Sequence, residues 1–392
     1  MTQHIIIAGG GPTGLLTALG LAQAGSRITV LEAEEAPNNS PRALVYHFPV
    51  LPHLRRLGIL EDCINAGLIR QDFAWRIHAT GEMIFWDLGC LADEVELPHA
   101  LHLGQDKLSA IILAHLRKLD NVQVLYSHKL VGVETSGDGV RATVDVAGRR
   151  EVIDGQWLIG ADGARSVVRR GVLKLNFFGV TWPQRYVATN TRFDFDSLHF
   201  GRTTMQVDDT YGSVICKIDN ENLWRVTFME DPSLPLETLP ARIDDMFGKL
   251  LPTRDAYEVV ATSPYHMHQR VADRMRVGRV LLVGDAAHVT NPTGGLGLTG
   301  GMFDTFALVE ALNDVIHNAR SQDVLDEYDR DRRQKFVELV SPRATQNLHT
   351  LYHMKPGVQK DEWVAETRRI ARDRHAMKAA LRFTECLQTT YS

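Results

Sequence analysis

Apolar and polar positions follow two rhythms along this chain. Residues 5–8 form a short, wholly apolar run that reads as a buried strand, and residues 13–24 place Leu15, Leu16, Leu19 and Leu21 on a helix. Residues 27–32 read as a second strand, so the opening is a βαβ unit with parallel strands. Residues 37–41 are polar and turn-rich, residues 50–60 read as helical up to Gly58, and residues 73–88, carrying Trp75, Phe85 and Trp86, read as strand. A helix over 105–119 leads into strands at 122–126, 130–135 and 140–146, the last two joined by a turn at 137–139, and then a strand at 157–160.

The rhythm changes at residue 177. As far as residue 264, β-branched and aromatic residues alternate with polar ones, and helical periodicity is weak except over 239–250. This predicts a largely antiparallel sheet. From residue 279 the βα pattern returns, with a strand at 280–283, a glycine-rich loop and a helix at 302–318. Charged helices follow over 322–340 and 361–388, and solvated faces are their default reading. No repeat or low-complexity linker separates these parts, so the domains interleave along the chain.

Composition narrows the partners. With 392 residues and 44% hydrophobic content the chain can fill a substantial core. Its 43 basic and 48 acidic residues give a net charge of −5, which offers no reason to expect nucleic acid and favours small molecules. Cys63, Cys90, Cys216 and Cys386 are scattered, which fits a reduced cytosolic protein without a metal site. No apolar run approaches the roughly 20 residues of a membrane span. A soluble, cytoplasmic protein with no stable membrane association, monomeric or homodimeric, is the expectation.

Gly9, Gly11 and Gly14 fit G-x-G-x-x-G between a predicted strand and a predicted helix. The first glycine permits a tight turn, the second lets backbone approach a pyrophosphate, and the third lets helix and strand pack closely. Thr13 lies in the same turn, where helix amides face the phosphates. Glu32, at the end of the second strand, stands where a carboxylate bonds the ribose hydroxyls of an adenosine. FAD and NAD share that adenosine diphosphate, so this motif alone leaves both open.

Two further stretches separate them. LIGADGARSVVRR places Asp162 and Gly163 at a strand end, and VGDAAHVTNPTGGLGLTGG places Gly284 and Asp285 at another, before a Pro-Gly-rich loop. A carboxylate there suits a ribityl hydroxyl, and the loop can lay amides along the polar edge of a flavin ring.

The trio of motifs, in this order and spacing, resembles the FAD-dependent aromatic hydroxylases of the para-hydroxybenzoate hydroxylase type, over about residues 5–339. The resemblance implies an α/β fold: a Rossmann-like FAD-binding domain (residues 1–72, 101–176 and 270–340) interleaved with a mainly antiparallel β-sheet substrate domain (73–100 and 177–269), plus a C-terminal helical segment (341–392). It implies that Gly9, Gly11, Thr13, Gly14 and Glu32 hold the ADP part of FAD and that Asp162 serves FAD and NAD(P)H contacts. Asp285 then binds the ribityl region, and Pro292, Gly295, Gly297 and Leu298 approach the flavin ring. Arg42, Gln105 and Val131 are further candidate FAD contacts. Thr299 and Thr305 depart from the residues many members carry, Asn and Ala.

The implied reaction is hydroxylation of a small phenolic aromatic or heteroaromatic substrate, with or without a carboxylate, through a flavin C4a-hydroperoxide. FAD is the tight, non-covalent cofactor, NADH or NADPH the transient electron donor, and O₂ the co-substrate. A phenol reacts best as its phenolate, so a base titrating near neutrality is expected beside the ring. His47, in RALVYHF, is the first candidate for that catalytic base, an imidazole having the suitable intrinsic pKa. Tyr211, Cys216 and Arg225 are weaker substrate candidates, along with His266, and Arg192 or Arg202 is a candidate cation for a ring carboxylate. His288 reads as structural. A same-fold reductase, epoxidase or halogenase stays open, as does a flavin-binding redox regulator without turnover.

Overall fold

The computed structural model describes residues 3–37, 43–251 and 257–391. Its first layer is a six-stranded sheet in the order Arg276–Val277, Val280–Leu282, Trp157–Gly160, His4–Ala8, Arg27–Leu31, Val122–Leu125. All neighbours are parallel except the first pair, a hairpin. Ile5, Ile6 and Ile7 are fully buried, because helices and loops cover both faces of the sheet; this is why the opening strand reads as a continuous apolar run. The helices Pro12–Gln23, Gln105–Leu116 and Leu296–His317 share the core with this sheet.

The second layer is an eight-stranded sheet: His288–Val289, Glu258–Ala272, Phe177–Arg192, Leu223–Glu230, Ser213–Lys217, Thr203–Val207, Asp72–Ile77 and Glu82–Asp87. One pair, Thr203–Val207 with Asp72–Ile77, is parallel, and the others are antiparallel. Trp224, Val226 and Phe228 point to one face, where they pack under the helix Leu239–Leu250. Strand alternation therefore turns Arg225 and Thr227 to the other face. That face is partly covered by the C-terminal helices: Leu348, Leu351, Tyr352 and Val364 pack on Trp75, Ile77, Met205 and Met267. A small sheet of Val45–Tyr46, Ala100–His102 and Leu68–Arg70 completes the frame.

Several elements differ from their sequence-based expectation. The helix expected at 302–318 begins six residues earlier, at Leu296, because Gly295 in a left-handed conformation caps it directly after the loop. The helical stretch expected over 50–60 is broken: Leu51–Arg56 ends before Gly58, whose φ is +73°, and a second helix, Leu60–Ala66, follows. The segment 361–388 is three pieces, Val358–Arg372, Arg374–Leu381 and Arg382–Leu387, with Asp373 capping the second. Several cations of the charged C-terminal helices are paired. Arg368 pairs with Glu82, Arg369 with Glu366, and Arg374 with Asp93. Among the described residues no helix is long and apolar enough to cross a membrane, and no group of three or more His, Cys, Asp or Glu residues is placed to hold a metal ion.

Candidate active site

The strand His4–Ala8 runs into Gly9, which has a φ of +110°. A Cβ there would lie 2.3 Å from the Ala161 carbonyl oxygen, so no side chain fits. Gly14, one turn into the helix, is equally confined, since its Cβ would meet the Gly9 carbonyl oxygen at 2.1 Å. Gly11 is different. It is the helix N-cap, provides no side-chain cap, and a Cβ on it would meet nothing within 4 Å. Gly9 and Gly14 thus allow strand, turn and helix to close, while Gly11 leaves an open face beside uncapped helix amides, a cradle that fits a pyrophosphate. Glu32 stands at its rim. Its Oε2 accepts from Gly10 N at 2.7 Å and its Oε1 from Glu34 N at 2.9 Å. Each oxygen keeps acceptor capacity for a ribose hydroxyl.

The other two motifs converge on the same turn. Ala161 N donates to Ala8 O at 2.7 Å, which sets Asp162 next to Gly9. Asp162 Oδ2 accepts from Val167 N and Val168 N at 2.6 and 3.1 Å, closing its own turn, while Oδ1 is buried without a partner. Burial raises this carboxyl, against the hydrogen bonds it accepts. Thr13 joins the first motif to the third: a Cβ on Gly284 or on Gly301 would lie within 2.8 or 2.9 Å of its methyl group. Asp285 is exposed at the head of the turn Gly284–Ala286.

Beneath that turn sits buried Asp304. Its Oδ2 accepts from Gly284 N at 3.1 Å, and its Oδ1 lies 2.8 Å from Arg332 Nε. His288 Nε2 is 2.6 Å from Oδ2, close but off the hydrogen-bond axis. Burial alone would raise the Asp304 carboxyl, but the charges of His288 and Arg332 outweigh it and hold it below the usual carboxylate range. Arg332 also donates to Leu387 O, tying the C-terminal segment to this floor.

The loop before Leu296 packs against His47. Gly294 and Gly295 both have positive φ, and the Gly294 carbonyl accepts from His47 Nε2 at 3.0 Å. Pro292 is exposed, and Gly297 and Leu298 are half-buried at the start of the helix. Gln105 opens its own helix, its backbone N bonded to Ala43 O at 3.0 Å, and Val131 is half-buried in Lys129–Ser136. Arg42 lies outside the described residues.

The expectation that His47 titrates near neutrality does not hold. Burial, assisted by the charge of Arg70, pushes its pKa down to about 4, so the imidazole is neutral. With Nε2–H on the Gly294 carbonyl, Nδ1 is the acceptor. His102, fully buried, bonds Lys217 O through Nδ1 at 2.7 Å and Thr203 Oγ1 through Nε2 at 3.0 Å, and burial lowers it to about 3. On the inner face of the large sheet, Arg225 stands beside Cys216 and Asn190, with Nε bonded to Asn190 Oδ1 at 2.9 Å. Cys216 is buried, and burial raises its thiol pKa. Tyr186 reaches the loop before Leu296 through its hydroxyl, 2.8 Å from Thr293 Oγ1.

Other candidates lie elsewhere. Tyr211 packs with the outer-face cluster, and its hydroxyl donates to Asp245 Oδ2 at 3.2 Å. Arg192 and Arg202 are exposed and bond the backbone carbonyls of Glu221 and Ile69. His266 is exposed on the strand Glu258–Ala272. Sequence reasoning passed over Arg70, His102 and Tyr186. The only trace of the first two was a basic residue at the end of each short apolar run, LIR and ALH.

Fold and motifs together define a flavoprotein with a dinucleotide-type turn at the end of one sheet and a second, larger sheet beyond the loop that precedes Leu296. The chain belongs to the family described as "FAD binding domain", whose profile matches residues 2–342. It is 66% identical over 389 residues, 99% of each chain, to 6-hydroxy-3-succinoylpyridine 3-monooxygenase HspB of Pseudomonas putida (strain DSM 28022 / S16). It is 42% identical over 356 residues to para-nitrophenol 4-monooxygenase of Pseudomonas sp. (strain WBC-3), covering 90% of this chain and 88% of that one. The crystal structure of p-nitrophenol 4-monooxygenase PnpA from Pseudomonas putida DLL-E4 superimposes with a TM-score of 0.95 at 38% identity, covering 100% of this chain and 99% of that one. This chain is therefore an FAD-dependent monooxygenase that uses NAD(P)H and O₂ to hydroxylate a small phenolic or heteroaromatic ring. The reductase, epoxidase, halogenase and regulator readings fall away.

Proposed function

We propose that the enzyme oxygenates a 6-hydroxypyridine at ring position 3, where the ring carries an acyl chain ending in a carboxylate. The 66% identity to a 6-hydroxy-3-succinoylpyridine 3-monooxygenase along nearly the whole of both chains carries this reading. The names of both relatives put the new oxygen on a substituted ring carbon para to the hydroxyl. The same site therefore has to hold a hydroxyl at one end of a ring and offer the opposite carbon to the flavin. As the new C3–O bond forms the C3–acyl bond breaks, and the acyl group leaves to water as a carboxylic acid, so that one O₂ and one NAD(P)H balance the step.

The residues divide the work as follows. The open face at Gly11, the amides after it and Thr13 take the pyrophosphate, with Gly9 and Gly14 closing the turn around it. Glu32 takes the adenosine ribose, Asp285 the ribityl chain, and Pro292, Gly295, Gly297 and Leu298 line the flavin ring. Gln105 and Val131 are the further contacts, and Asp162, with its unpartnered Oδ1, faces the same turn. When bound and reduced by NAD(P)H, the flavin activates O₂ and supplies the oxygen atom. His47, neutral at working pH, holds the flavin-side loop in place through Gly294. It is too weak a base to carry the proton away. Arg225 and Cys216 line the facing sheet, with Arg225 able to take the chain carboxylate as a charge-assisted partner. Tyr211 has no part in this assignment.

The test is substrate-stimulated oxidation of NADH and NADPH by the purified holoenzyme with 6-hydroxy-3-succinoylpyridine, para-nitrophenol and unsubstituted 2-hydroxypyridine. Hydroxylated product and hydrogen peroxide are counted separately. The acylpyridine is expected to give the highest kcat/KM, with product matching O₂ consumed. Peroxide alone from the acylpyridine would overturn the proposal.

A further inference from the structure

We propose that Arg70 binds the ionised ring oxygen of the substrate and so keeps the ring deprotonated in the site. This rests on the hydroxylated-ring reading above. Arg70 ends the strand Leu68–Arg70 and is only 4% exposed. Nη1 donates to the Asp72 carbonyl at 2.8 Å, whereas Nε is buried without any partner. A guanidinium carries five N–H groups, and a buried cation left largely unpaired costs several kcal/mol. Other buried arginines in the same protein are satisfied: Arg185 by Glu230, Arg332 by Asp304, and Arg169 by the carbonyls of Ala286 and Ala164. Arg70 has no carboxylate in ion-pair contact among the described residues.

The charges around Arg70 do not supply the missing anion. Asp72, on the strand that follows, already accepts the Arg202 backbone N at 2.6 Å through Oδ2. His47, directly after the strand Val45–Tyr46, and His102, at the end of Ala100–His102, are held neutral by burial. Cys216, from the large sheet, has its thiol pKa raised by burial and so stays protonated. Asp72 favours the Arg70 cation through space, but among the described residues no carboxylate oxygen reaches the guanidinium. Arg70 is therefore buried and short of acceptors, and the ligand that complements its Nε is an anionic oxygen.

Position selects the ring oxygen over the chain carboxylate. His47 packs on the Gly294–Gly295 turn and is near enough to Arg70 for its charge to lower the imidazole pKa, which puts Arg70 on the side of the site that holds this loop. A ring whose attacked carbon faces that loop presents its para oxygen one ring-width behind it. Arg225, placed toward Tyr265 and Asp106, is left for the chain. A cation in contact with a phenol lowers its pKa by about 1–3 units.

Para-nitrophenol is the probe, because its phenolate absorbs in the visible and its ionisation on the holoenzyme can be read by difference spectra across pH. The bound probe is expected to ionise at least one pH unit lower in the parent than free in buffer. Arg70→Met should abolish most of that shift and weaken binding of the ionised probe about tenfold or more, and Arg70→Lys should restore part of both. An unshifted pKa in the parent overturns the proposal without any variant being needed. So does an Arg70→Met enzyme with the parent's shift, or one that loses affinity only for the carboxylated pyridine. If neither para-nitrophenol nor 6-hydroxy-3-succinoylpyridine binds the parent, the substrate reading itself fails and takes this inference with it.

Discussion

Replacing Gly11 or Gly14 by alanine separates the two jobs that glycines do in the first motif. At Gly14 the new Cβ would lie 2.1 Å from the Gly9 carbonyl oxygen and 3.2 Å from the Ala161 side chain. The Gly9 backbone cannot yield cheaply and the Ala161 Cβ has no rotamer to move into, so Gly14→Ala is expected to destabilise the apoprotein by about 3 kcal/mol or more, at the upper end of overpacking costs. At Gly11 the backbone (φ −75°, ψ 176°) suits any residue, and the Cβ meets no protein atom within 4 Å. The effect on the apoprotein is then within about 1 kcal/mol, an alanine N-cap being slightly worse than glycine and the unfolded chain slightly more restricted. The methyl group instead occupies the face where a phosphate must approach. Loss of one hydrogen bond to a charged group, about 1.5–3 kcal/mol, weakens FAD binding by roughly 10- to 150-fold. Thermal melts of the flavin-free proteins and fluorescence titration with FAD read the two quantities independently. A Gly11→Ala protein that holds FAD like the parent, or that melts as early as Gly14→Ala, would refute this division of labour.

Four further outcomes are expected. Glu32→Gln should weaken FAD about tenfold while leaving the substrate KM of the reconstituted enzyme unchanged, since a neutral amide replaces a charge-assisted ribose contact; equal flavin retention on dilution would contradict it. Asp304→Asn leaves buried Arg332 without its counter-charge, a loss of about 3–5 kcal/mol that should appear as a large drop in Tm. Acid should destabilise the protein through His102: its pKa falls from an unfolded value near 6.5 to about 3, so the unfolded chain gains protons first as pH drops. Stability is then present above about pH 6.5 and is lost progressively toward pH 3, by about 2 kcal/mol at pH 5. A His102→Gln protein should show a flatter acid limb in melts from pH 7 to 5, and an identical limb would exclude His102 as the cause. Tyr211→Phe should leave kcat/KM within twofold of the parent, because its hydroxyl meets Asp245 on the outer face of the sheet; a tenfold fall would place it in the site after all.

Much of the scaffold was legible because its signals are local. Ile5 to Ile7 are apolar since both faces of their strand are covered, and the helix 239–250 shows its buried side directly as Leu239, Ile243, Met246, Phe247 and Leu250. The helix 296–317 was legible only from its middle. Its first two turns hold Gly297, Gly300 and Gly301, whose weak helical preference hides a helix that packing enforces against Thr13. The three short strands of the small sheet were not legible, because two or three residues carry no periodicity.

Within the site, the chain order of residues determines what depends on contiguous backbone. The turn at Gly9 to Gly14, the acid at Glu32, the aspartates at strand ends and the loop from Pro292 are each a local arrangement of strand, turn and helix, and spacing alone exposes them. What the tertiary structure decided is which distant groups meet and in what charge state. Thr13 touches Gly284 and Gly301, nearly three hundred residues away, only because the strands at 4–8, 157–160 and 280–282 lie side by side. His47 has the intrinsic pKa of a base, yet burial and Arg70 make it a neutral acceptor; Arg70 looks like an ordinary surface cation until the fold buries its Nε without a partner. Ionisation and hydrogen-bond satisfaction depend on desolvation and on neighbours from other strands, and neither is written at the position of the residue itself.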